Sequence, residues 1–505
     1  MLKQLRVHLN SKREKRNNLS NKSEYKIIDV LTSLSKRRGF VFQSSEIYGG
    51  LASTWDYGPL GVELKRNIKN LWWKSVVSSH DNVVGMDSAI LMHPKVWEAS
   101  GHVENFHDPL IDNKETKKRY RVDHLIQQQE ESVIKALFNT FSLKIAEKIS
   151  DSDYQLIINK LINNDSSGQI MGDCGVVDPS NGEIGSWTNL RQFNLMFKTH
   201  MGPVEDSGAK IYMRPETAQG IFVNFLNAQS TARQKIPFGI AQIGKAFRNE
   251  ITTGNFIFRT REFEQMEMEF FCDPNDTKKW LEYWSNKRLE WFSNLGIQDS
   301  KLRLRAHGKD ELAHYSSACY DIEYKFDFGW SELEGIADRG TFDLEQHIKH
   351  SGKKLTYFDT TINKHYVPAV VETSAGVDRA LLTTLADAYC EEEVNNEKRS
   401  VLKLSPKIAP ITVAIFPLMN KLGMPEVAKK IDMDLKNNFS TFYDTGGSIG
   451  KRYRRQDEAG TPLGITIDHD TLENNSVTIR NRDTMQQTRV DFDNILNFIN
   501  DFLEK

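Results

Sequence analysis

Two alternating runs of residues, joined by a short turn-forming stretch, constrain the fold of this chain more than any other feature. The first run is Phe247-Arg248-Asn249-Glu250 and the second begins at Arg259 and continues through Glu267. The residues between them, 251–258, include threonine, glycine and asparagine, which are typical of turns. The pattern predicts an antiparallel hairpin.

Side chains on a strand alternate between two faces, so the pattern also predicts which groups lie together. Arg248 and Glu250 would share one face of the first strand. The second strand would present a matching set on one face: Arg259, Arg261, Phe263, Gln265 and Glu267. If the two faces coincide, cations, an aromatic ring and carboxylates suit a nucleotide. The alternative is a solvent-exposed hairpin with ordinary cross-strand ion pairs.

A second candidate site lies where a strand near residue 371 ends, turns at Gly376 and enters an apolar helix. Glu372 and Ser374 would point the same way from the strand end, and Arg379 would lie in the first turns of the helix. Taken alone, such an arginine is also compatible with a surface position or a salt bridge.

Composition and charge narrow the class of protein. The 505 residues carry a net charge of −2, so nucleic-acid contacts must come from local basic patches. No apolar run approaches the roughly 18 residues that a spanning helix needs, so we expect no membrane segment. The four cysteines, at positions 174, 272, 319 and 390, form no CxxC pair. This spacing favours reduced thiols over a zinc tetrad or a disulfide framework.

The chain divides into three predicted parts. Residues 1–23 are basic and lack an apolar core, which indicates a disordered tail, with an organelle transit peptide as the alternative. Residues 24–400 would form one domain, with a helix over 62–77, a strand over 83–92 and a polar insertion over about 105–185. Residues 401–505 alternate strands (411–416, 463–467, 476–479) with helices (424–437, 492–502), which predicts a small α/β domain.

Several blocks together give the chain a family resemblance. They are residues 45–50 (SEIYGG), 55–61 (WDYGPLG), 97–102 (WEASGH), 214–220 (RPETAQG), the predicted hairpin, 371–381, 468–472 (DHDTL) and 480–483. With the stretch ending at Pro94, this ordered set resembles the class II aminoacyl-tRNA synthetases, and most closely the glycyl-tRNA synthetases of the single-chain homodimeric type. The resemblance covers about residues 37–505.

The resemblance implies a fold and an activity. We expect an α+β catalytic domain with an antiparallel sheet of six or seven strands flanked by helices, and a C-terminal α/β anticodon-binding domain. We expect a cytoplasmic enzyme that activates glycine with ATP and Mg²⁺ and transfers it to the 3′ end of tRNA(Gly). Residues 62–94 would form much of a two-fold homodimer interface.

Individual roles are carried over by motif position. Arg248 would hold the α-phosphate and the attacking carboxylate, Phe263 would stack on adenine, and Glu250 would lie at the adenine edge. Arg339 and Arg379 would clamp the outer phosphates, with Arg248 and Arg379 as the catalytic pair. Glu332, with Glu372 close by, would carry Mg²⁺; a strand ion pair is the alternative for Glu332. Around glycine we expect Glu216, Glu267, Glu372 and Ser374.

A basic segment in the last domain is the candidate RNA contact. It comprises Lys451, Arg452, Arg454 and Arg455 around Tyr453, and the resemblance adds Arg480 and Arg482. The alternative is a solvated basic loop. Many relatives carry cysteine pairs in the insertion, whereas this region keeps only Cys174, so we expect no structural zinc.

Two other functions remain to be weighed. A non-catalytic relative, such as a DNA-polymerase accessory subunit, need not keep the charges of an ATP site, and all of them are present here. A class II synthetase for another small amino acid would not need three carboxylates and a serine around the ammonium. Glycine activation is therefore the favoured function.

Overall fold

The computed structural model describes residues 27–144, 149–202, 209–251, 254–308, 316–394 and 396–504. The predicted basic tail, residues 1–23, lies outside the described residues. Among the described helices, none is long and apolar enough to cross a membrane.

A central sheet of seven strands organises the larger part of the chain. Across the sheet the strands are Leu302–Ala306, Ala318–Phe326, Gly329–Gly340, Ala369–Gly376, Glu262–Cys272, Phe238–Phe247 and Val83–Gly85. Neighbouring strands are antiparallel, except that Val83–Gly85 runs parallel to Phe238–Phe247. The expected antiparallel α+β sheet is confirmed.

The predicted hairpin exists, but its loop is longer than the sequence pattern indicated. The paired strands are Phe238–Phe247 and Glu262–Cys272. Beyond them the two chains keep one main-chain hydrogen bond, from the N–H of Arg248 to the carbonyl of Arg261 at 2.9 Å. Arg248 and Glu250 therefore lie in the connecting loop, as do Arg259 and Arg261. The prediction that these four side chains alternate on strands is wrong, because alternating residue types cannot show where hydrogen bonding between strands ends.

The two faces of the sheet have different surroundings. Met266, Met268 and Phe270 point to one face and are buried in the main core. Three long helices supply the apolar partners there: Pro59–Trp73, Thr277–Asn294 and Val377–Ala388. The alternate residues Gln265, Glu267 and Glu269 point to the opposite face. The pleat of one strand thus separates the packed core from the polar face that carries the site.

Two helices cover one end of the polar face. The helices Ala218–Val223 and Phe342–Ser351 pack there over Phe271 and form a second core cluster. The first of the long helices behind the sheet continues through a π-helical turn, Lys74–Ser78, where the pattern predicted one helix over 62–77. The predicted strand 83–92 is confined to Val83–Gly85.

The insertion forms a unit with its own core. A three-stranded sheet pairs His107–Asp112 with Arg119–Arg121 and with Arg191–Asn194, so its pairing extends past residue 185. Four helices surround it: Val122–Gln127, Glu131–Thr140, Asp151–Ile162 and Ser167–Asp173. Their apolar faces meet in a cluster that includes Leu137, Phe138 and Ile157.

Smaller elements connect these units. Paired strands are Val41–Gln43 with Trp55–Tyr57, Lys198–Met201 with Ala209–Tyr212, Tyr357–Asp359 with Lys364–Tyr366, and Tyr389–Val394 with Glu397–Leu402. Short helices are Ile27–Arg38, Pro94–Ala99, His102–Asn105 and Phe225–Thr231, and 3-10 turns are Glu46–Tyr48, Phe256–Phe258, Asp299–Lys301 and Phe492–Asn494.

The C-terminal part has a separate five-stranded sheet. The order of its strands is Thr441–Tyr443, Val413–Pro417, Leu463–Ile467, Ser476–Asn481 and Gln487–Asp491. Val413–Pro417 runs parallel to both of its neighbours, whereas Ser476–Asn481 runs antiparallel to both of its neighbours. The helices are Met424–Leu435, Ile449–Ala459, His469–Asn474 and Ile495–Glu504. The predicted α/β architecture of this region is therefore found.

Candidate functional site

A cavity of about 350 Å³ opens on the polar face of the central sheet, beside the hairpin loop. It is where the separate sequence motifs meet. Every residue predicted to contact ATP or glycine lines this cavity: Glu216, Arg248, Glu250, Phe263, Glu267, Glu332, Arg339, Glu372, Ser374 and Arg379. The residues come from five separate stretches of chain, and sheet pairing brings them together.

Arg248 lies at one end of the cavity between two aromatic rings. Its guanidinium carbon is 5.3 Å from the ring centre of Phe263 and 5.5 Å from that of Phe106. Its Nε donates a hydrogen bond to the main-chain oxygen of Pro215 at 3.0 Å. Rings and a carbonyl hold the side chain without neutralising it, so its charge is available to an anion. Glu250 lies nearby, with an oxygen 3.0 Å from Nε of Arg259.

Arg379 approaches the same end from the start of its helix. Its Nη1 is 3.2 Å from a carboxylate oxygen of Glu332 and donates to the main-chain oxygen of Glu332 at 3.0 Å. Its guanidinium also lies 4.6 Å from the ring centre of Phe258. Partial loss of water would raise the pKa of Glu332, but the positive charges of Arg379, Arg248 and His307 hold it below its usual value.

The opposite end of the cavity is acidic, because sheet register brings two strands' carboxylates together. Glu267 lies opposite Ser374, and its neighbour Glu269 lies opposite Glu372. The main-chain N–H of Thr217 donates to Glu267 at 3.0 Å, and the hydroxyl of the same residue also donates to it. The carboxylates of the predicted ammonium site are thus held by strand pairing and by the loop before the helix Ala218–Val223.

The three predicted ammonium-site carboxylates differ in electrostatic environment. Burial would raise the pKa of Glu216, but His102, whose Nε2 is 3.3 Å from it, and Arg339 hold the pKa well below its usual value. Burial and the nearby charges of Glu372 and Glu216 raise the pKa of Glu267 to about 8. Like charges crowded in this way favour the binding of a cation.

Arg339 occupies a different place from the one predicted. It is 3% exposed, and it binds Asp343 through Nε at 2.7 Å and through Nη2 at 2.9 Å. Its Nη1 donates to Glu372 at 2.9 Å. The prediction that Arg339 clamps outer phosphates is wrong, because two carboxylates already share its buried charge. Arg339 orients Glu372 instead. The four-residue spacing between Arg339 and Asp343 was the feature of the sequence that could have indicated this ion pair.

The acidic groups near Arg379 differ from the predicted magnesium pair. A Cβ placed on Gly335 would lie 3.8 Å from an oxygen of Glu332 and 3.9 Å from an oxygen of Asp321, so both carboxylates border the same glycine. Glu372 accepts a hydrogen bond from Arg339 at 2.9 Å, and its metal role stays a prediction. Asp321, which the sequence analysis missed, also contacts Nε2 of His307 at 2.7 Å. Asp321 also accepts from Arg305 at 2.9 Å. Glu332, with Asp321 nearby, would suit Mg²⁺, which prefers one or two carboxylates plus phosphate oxygens.

The predicted RNA-binding residues fall into two groups. Arg452 and Arg482 are 2% exposed and donate to main-chain oxygens, of Pro417 at 2.6 Å and of Gly460 at 2.7 Å respectively. Arg480 donates to Asp457 at 3.0 Å. For Arg452 and Arg482 the predicted RNA contact is wrong, because their buried charges hold the C-terminal domain together. For the half-buried Arg480 it stays a prediction. Lys451, Arg454 and Arg455 remain on the surface of the helix Ile449–Ala459.

The insertion offers one further comparison with the sequence analysis. Cys174 has its Sγ 3.4 Å from the hydroxyl of Thr140. The expectation of no structural zinc stays a prediction.

Comparisons with known proteins agree with this geometry. Residues 412–502 match the family profile described as "Anticodon binding domain", and residues 108–195 match "Glycyl-tRNA synthetase insertion domain 1". A glycine–tRNA ligase of Caldanaerobacter subterraneus is 52% identical over 477 residues, which cover 94% of this chain and 98% of the relative. The chain belongs to the glycine–tRNA ligase family. A family member from Treponema denticola is 50% identical over 92% of this chain and 94% of its own length.

A solved structure of low sequence identity shares the fold. A crystal structure of prolyl-tRNA synthetase from Cryptosporidium parvum, complexed with halofuginone and AMPPNP, matches with a TM-score of 0.61 and 13% identity. The match covers 96% of this chain and 79% of that one. At this identity the likeness concerns the fold alone.

Proposed function

We propose that this chain is a glycine–tRNA ligase that uses ATP to form glycyl-adenylate and transfers the glycyl group to tRNA(Gly). One observation carries the proposal: a single cavity has unneutralised arginine and an aromatic ring at one end and converging carboxylates at the other. The first end suits a nucleotide phosphate, and the second suits an ammonium group. The cavity is thus polarised for an amino acid and ATP together.

The chemistry asks the protein for positioning and charge neutralisation more than for a nucleophile. The glycine carboxylate attacks the α-phosphate of ATP, and pyrophosphate leaves. Arg248 would neutralise the α-phosphate while it carries the attacking group, and Arg379 would bind the departing phosphates. Phe263 would stack on the base, with Glu250 at its edge. Mg²⁺, held by Glu332 and Asp321, would supply further neutralisation of the phosphate charge.

Selection for glycine would come from size and from the ammonium contacts. Glu216, Glu267 and Glu372 would surround the ammonium. Ser374, whose hydroxyl accepts a hydrogen bond from Gln265 at 3.2 Å, would lie beside the α-carbon. A side chain on the substrate would collide with this strand end, and steric exclusion needs no second, editing site.

Amino-acid-dependent pyrophosphate exchange tests the proposed specificity. With glycine we expect a kcat/KM at least about 100-fold above that with alanine, serine or proline, because the site excludes any Cβ. The measurement uses labelled pyrophosphate incorporation into ATP with each amino acid in turn. Exchange with serine but not with glycine would contradict the proposal.

RNA binding is proposed for the exposed basic face of the helix Ile449–Ala459. Lys451 is exposed, and Arg454 and Arg455 are half-buried beside Glu397 and Asp444. Because these cations are accessible to phosphates, we expect them to contribute to salt-dependent binding of tRNA.

Replacement of Lys451, Arg454 and Arg455 by alanine tests this face. We expect weaker tRNA binding and a shallower salt dependence, with the slope reduced by about one unit for each phosphate that the variant no longer binds. Filter binding over a range of salt concentrations measures both. Lys429→Ala with Lys430→Ala, exposed on another helix of the same domain, is the matched control and should leave the slope unchanged. An unchanged slope in the triple variant would contradict the RNA contact.

Two broader assignments belong to the same proposal. A homodimer through residues 62–94 would cover the apolar side chains of Val62 and Leu91, which are exposed in the single chain. The proposed domain boundaries, at about residues 24, 400 and 505, and the cytoplasmic location stay predictions.

A further inference from the structure

A buried carboxylate that the proposed mechanism does not use lies beneath the acidic end of the cavity. Glu269 follows Glu267 on the same face of its strand and is the register partner of Glu372 on the neighbouring strand. Carboxylate oxygens of these three residues lie within 4.8 Å of one another. Glu267 and Glu372 line the cavity, so Glu269 supports them from behind.

The three carboxylates differ in what stabilises them. Glu267 accepts hydrogen bonds from Thr217, and Glu372 accepts one from Arg339. Glu269 is fully buried, and neither of its oxygens has a hydrogen-bond partner among the described residues. A buried, ionised carboxylate without a donor is costly, whereas the neutral acid carries an O–H that can be donated to a neighbouring carboxylate.

The charged groups around Glu269 favour the neutral form. Arg339 lies near, but it is bound by Asp343 at 2.7 Å and by Glu372 at 2.9 Å. Burial, followed by the negative charge of Glu372, raises the pKa of Glu269 well above its usual range, although Arg339 opposes this. Glu267 and Asp343 add further negative charge. Because Glu269 is fully buried and neither of its oxygens meets a donor among the described residues, its neutral form is favoured.

We propose that Glu269, as a neutral acid, is a positioning residue that donates a hydrogen bond to Glu372 and fixes this carboxylate for the ammonium of the substrate. Arg339 would hold Glu372 from one side, and Glu269 would hold it from the other. The lone pairs of Glu372 that face the cavity would stay free for the substrate. A neutral Glu269 adds no negative charge to the cluster, so it does not repel Glu372. The inference rests on the proposed glycine activation.

Two substitutions at Glu269 distinguish the effect of its hydrogen-bond donor from the effects of its charge and of its side-chain packing. Glu269→Leu removes the O–H donor at similar size, and Glu269→Gln keeps a donor without an ionisable group. In pyrophosphate exchange we expect the leucine variant to raise the KM for glycine about 10-fold or more, because a hydrogen bond to a charged group is removed. The KM for ATP should change less than about twofold, and the glutamine variant should restore the glycine KM to within about threefold.

Thermal unfolding of the same variants separates positioning from structure. Leucine should not lower Tm markedly, because it replaces a buried polar group by an apolar one of similar size and Glu372 keeps its hydrogen bond from Arg339. The proposal is overturned if the leucine variant keeps the wild-type KM for glycine, or if both KM values rise together with a lower Tm. It is also overturned if glutamine is as impaired as leucine, since a negative charge would then be required. Absence of glycine exchange in the wild-type protein would instead contradict the proposed function.

Discussion

Replacement of Arg248 by alanine is expected to reduce glycine-dependent pyrophosphate exchange by about 10²–10³ in kcat, the usual cost of removing one group that stabilises a developing anion. The guanidinium is stacked between Phe263 and Phe106 and contacts the carbonyl of Pro215. Its charge is therefore aimed at the cavity and not neutralised by a bound carboxylate, in contrast to that of Arg339. Steady-state exchange with saturating glycine and ATP measures the decrease.

A neighbouring cation provides the control for Arg248. Lys245 lies on the same hairpin, is exposed and pairs with Glu262 outside the cavity. Lys245→Ala should leave kcat within about twofold of the wild type, because exposed ion pairs contribute little. Circular dichroism and Tm would establish that both variants are folded. Unchanged exchange in folded Arg248→Ala would exclude the proposed phosphate role.

The largest expected effect on stability is at the buried ion pair behind the site. Arg288, on the helix Thr277–Asn294, binds Glu334 of the central sheet through Nε at 2.7 Å, and the two side chains are 1% and 0% exposed. Arg288→Ala should lower the free energy of unfolding by about 3–5 kcal/mol, because it leaves the Glu334 charge buried without a partner. Urea denaturation followed by tryptophan fluorescence measures the change, since Trp291 packs 4.5 Å from the guanidinium.

Two further variants test the reason for this destabilisation. Lys287→Ala, on the same helix, removes an exposed pair with Glu290 and should cost about 0–1 kcal/mol. The double change Arg288→Met with Glu334→Leu removes both charges and should recover much of the stability, because neither partner is then left unpaired. Equal destabilisation in Arg288→Ala and Lys287→Ala would show that the buried pair is not important.

The sequence predicted the parts of the fold that depend on local pattern. The hairpin followed from alternation, and the C-terminal α/β unit followed from strands alternating with helices. Strand ends did not follow, because the side chains of Arg248 and Arg261, just beyond the paired strands, make contacts that the local pattern does not show. Those contacts reach Pro215 and Ala52, which are distant in the chain.

At the candidate site, too, some residues were predictable from the sequence and others were not. Arg248, Glu267, Glu332 and Arg379 line the cavity as predicted, since each was placed by a motif around it. Arg339 and Arg452 were misassigned, because an arginine in the sequence does not show whether its charge is already bound. Asp321 and Glu269 were missed, because their importance comes from neighbours on other strands.

The sequence by itself determined the family, the order of its motifs and the two chemical characters, cationic and acidic, that the site combines. Only the tertiary structure decided which charges are free. The physical reason is that the availability of a charge depends on burial and on partners brought in by sheet register. Arg339 is neutralised by Asp343 and Glu372 while Arg248 is not, and residue type alone cannot distinguish them.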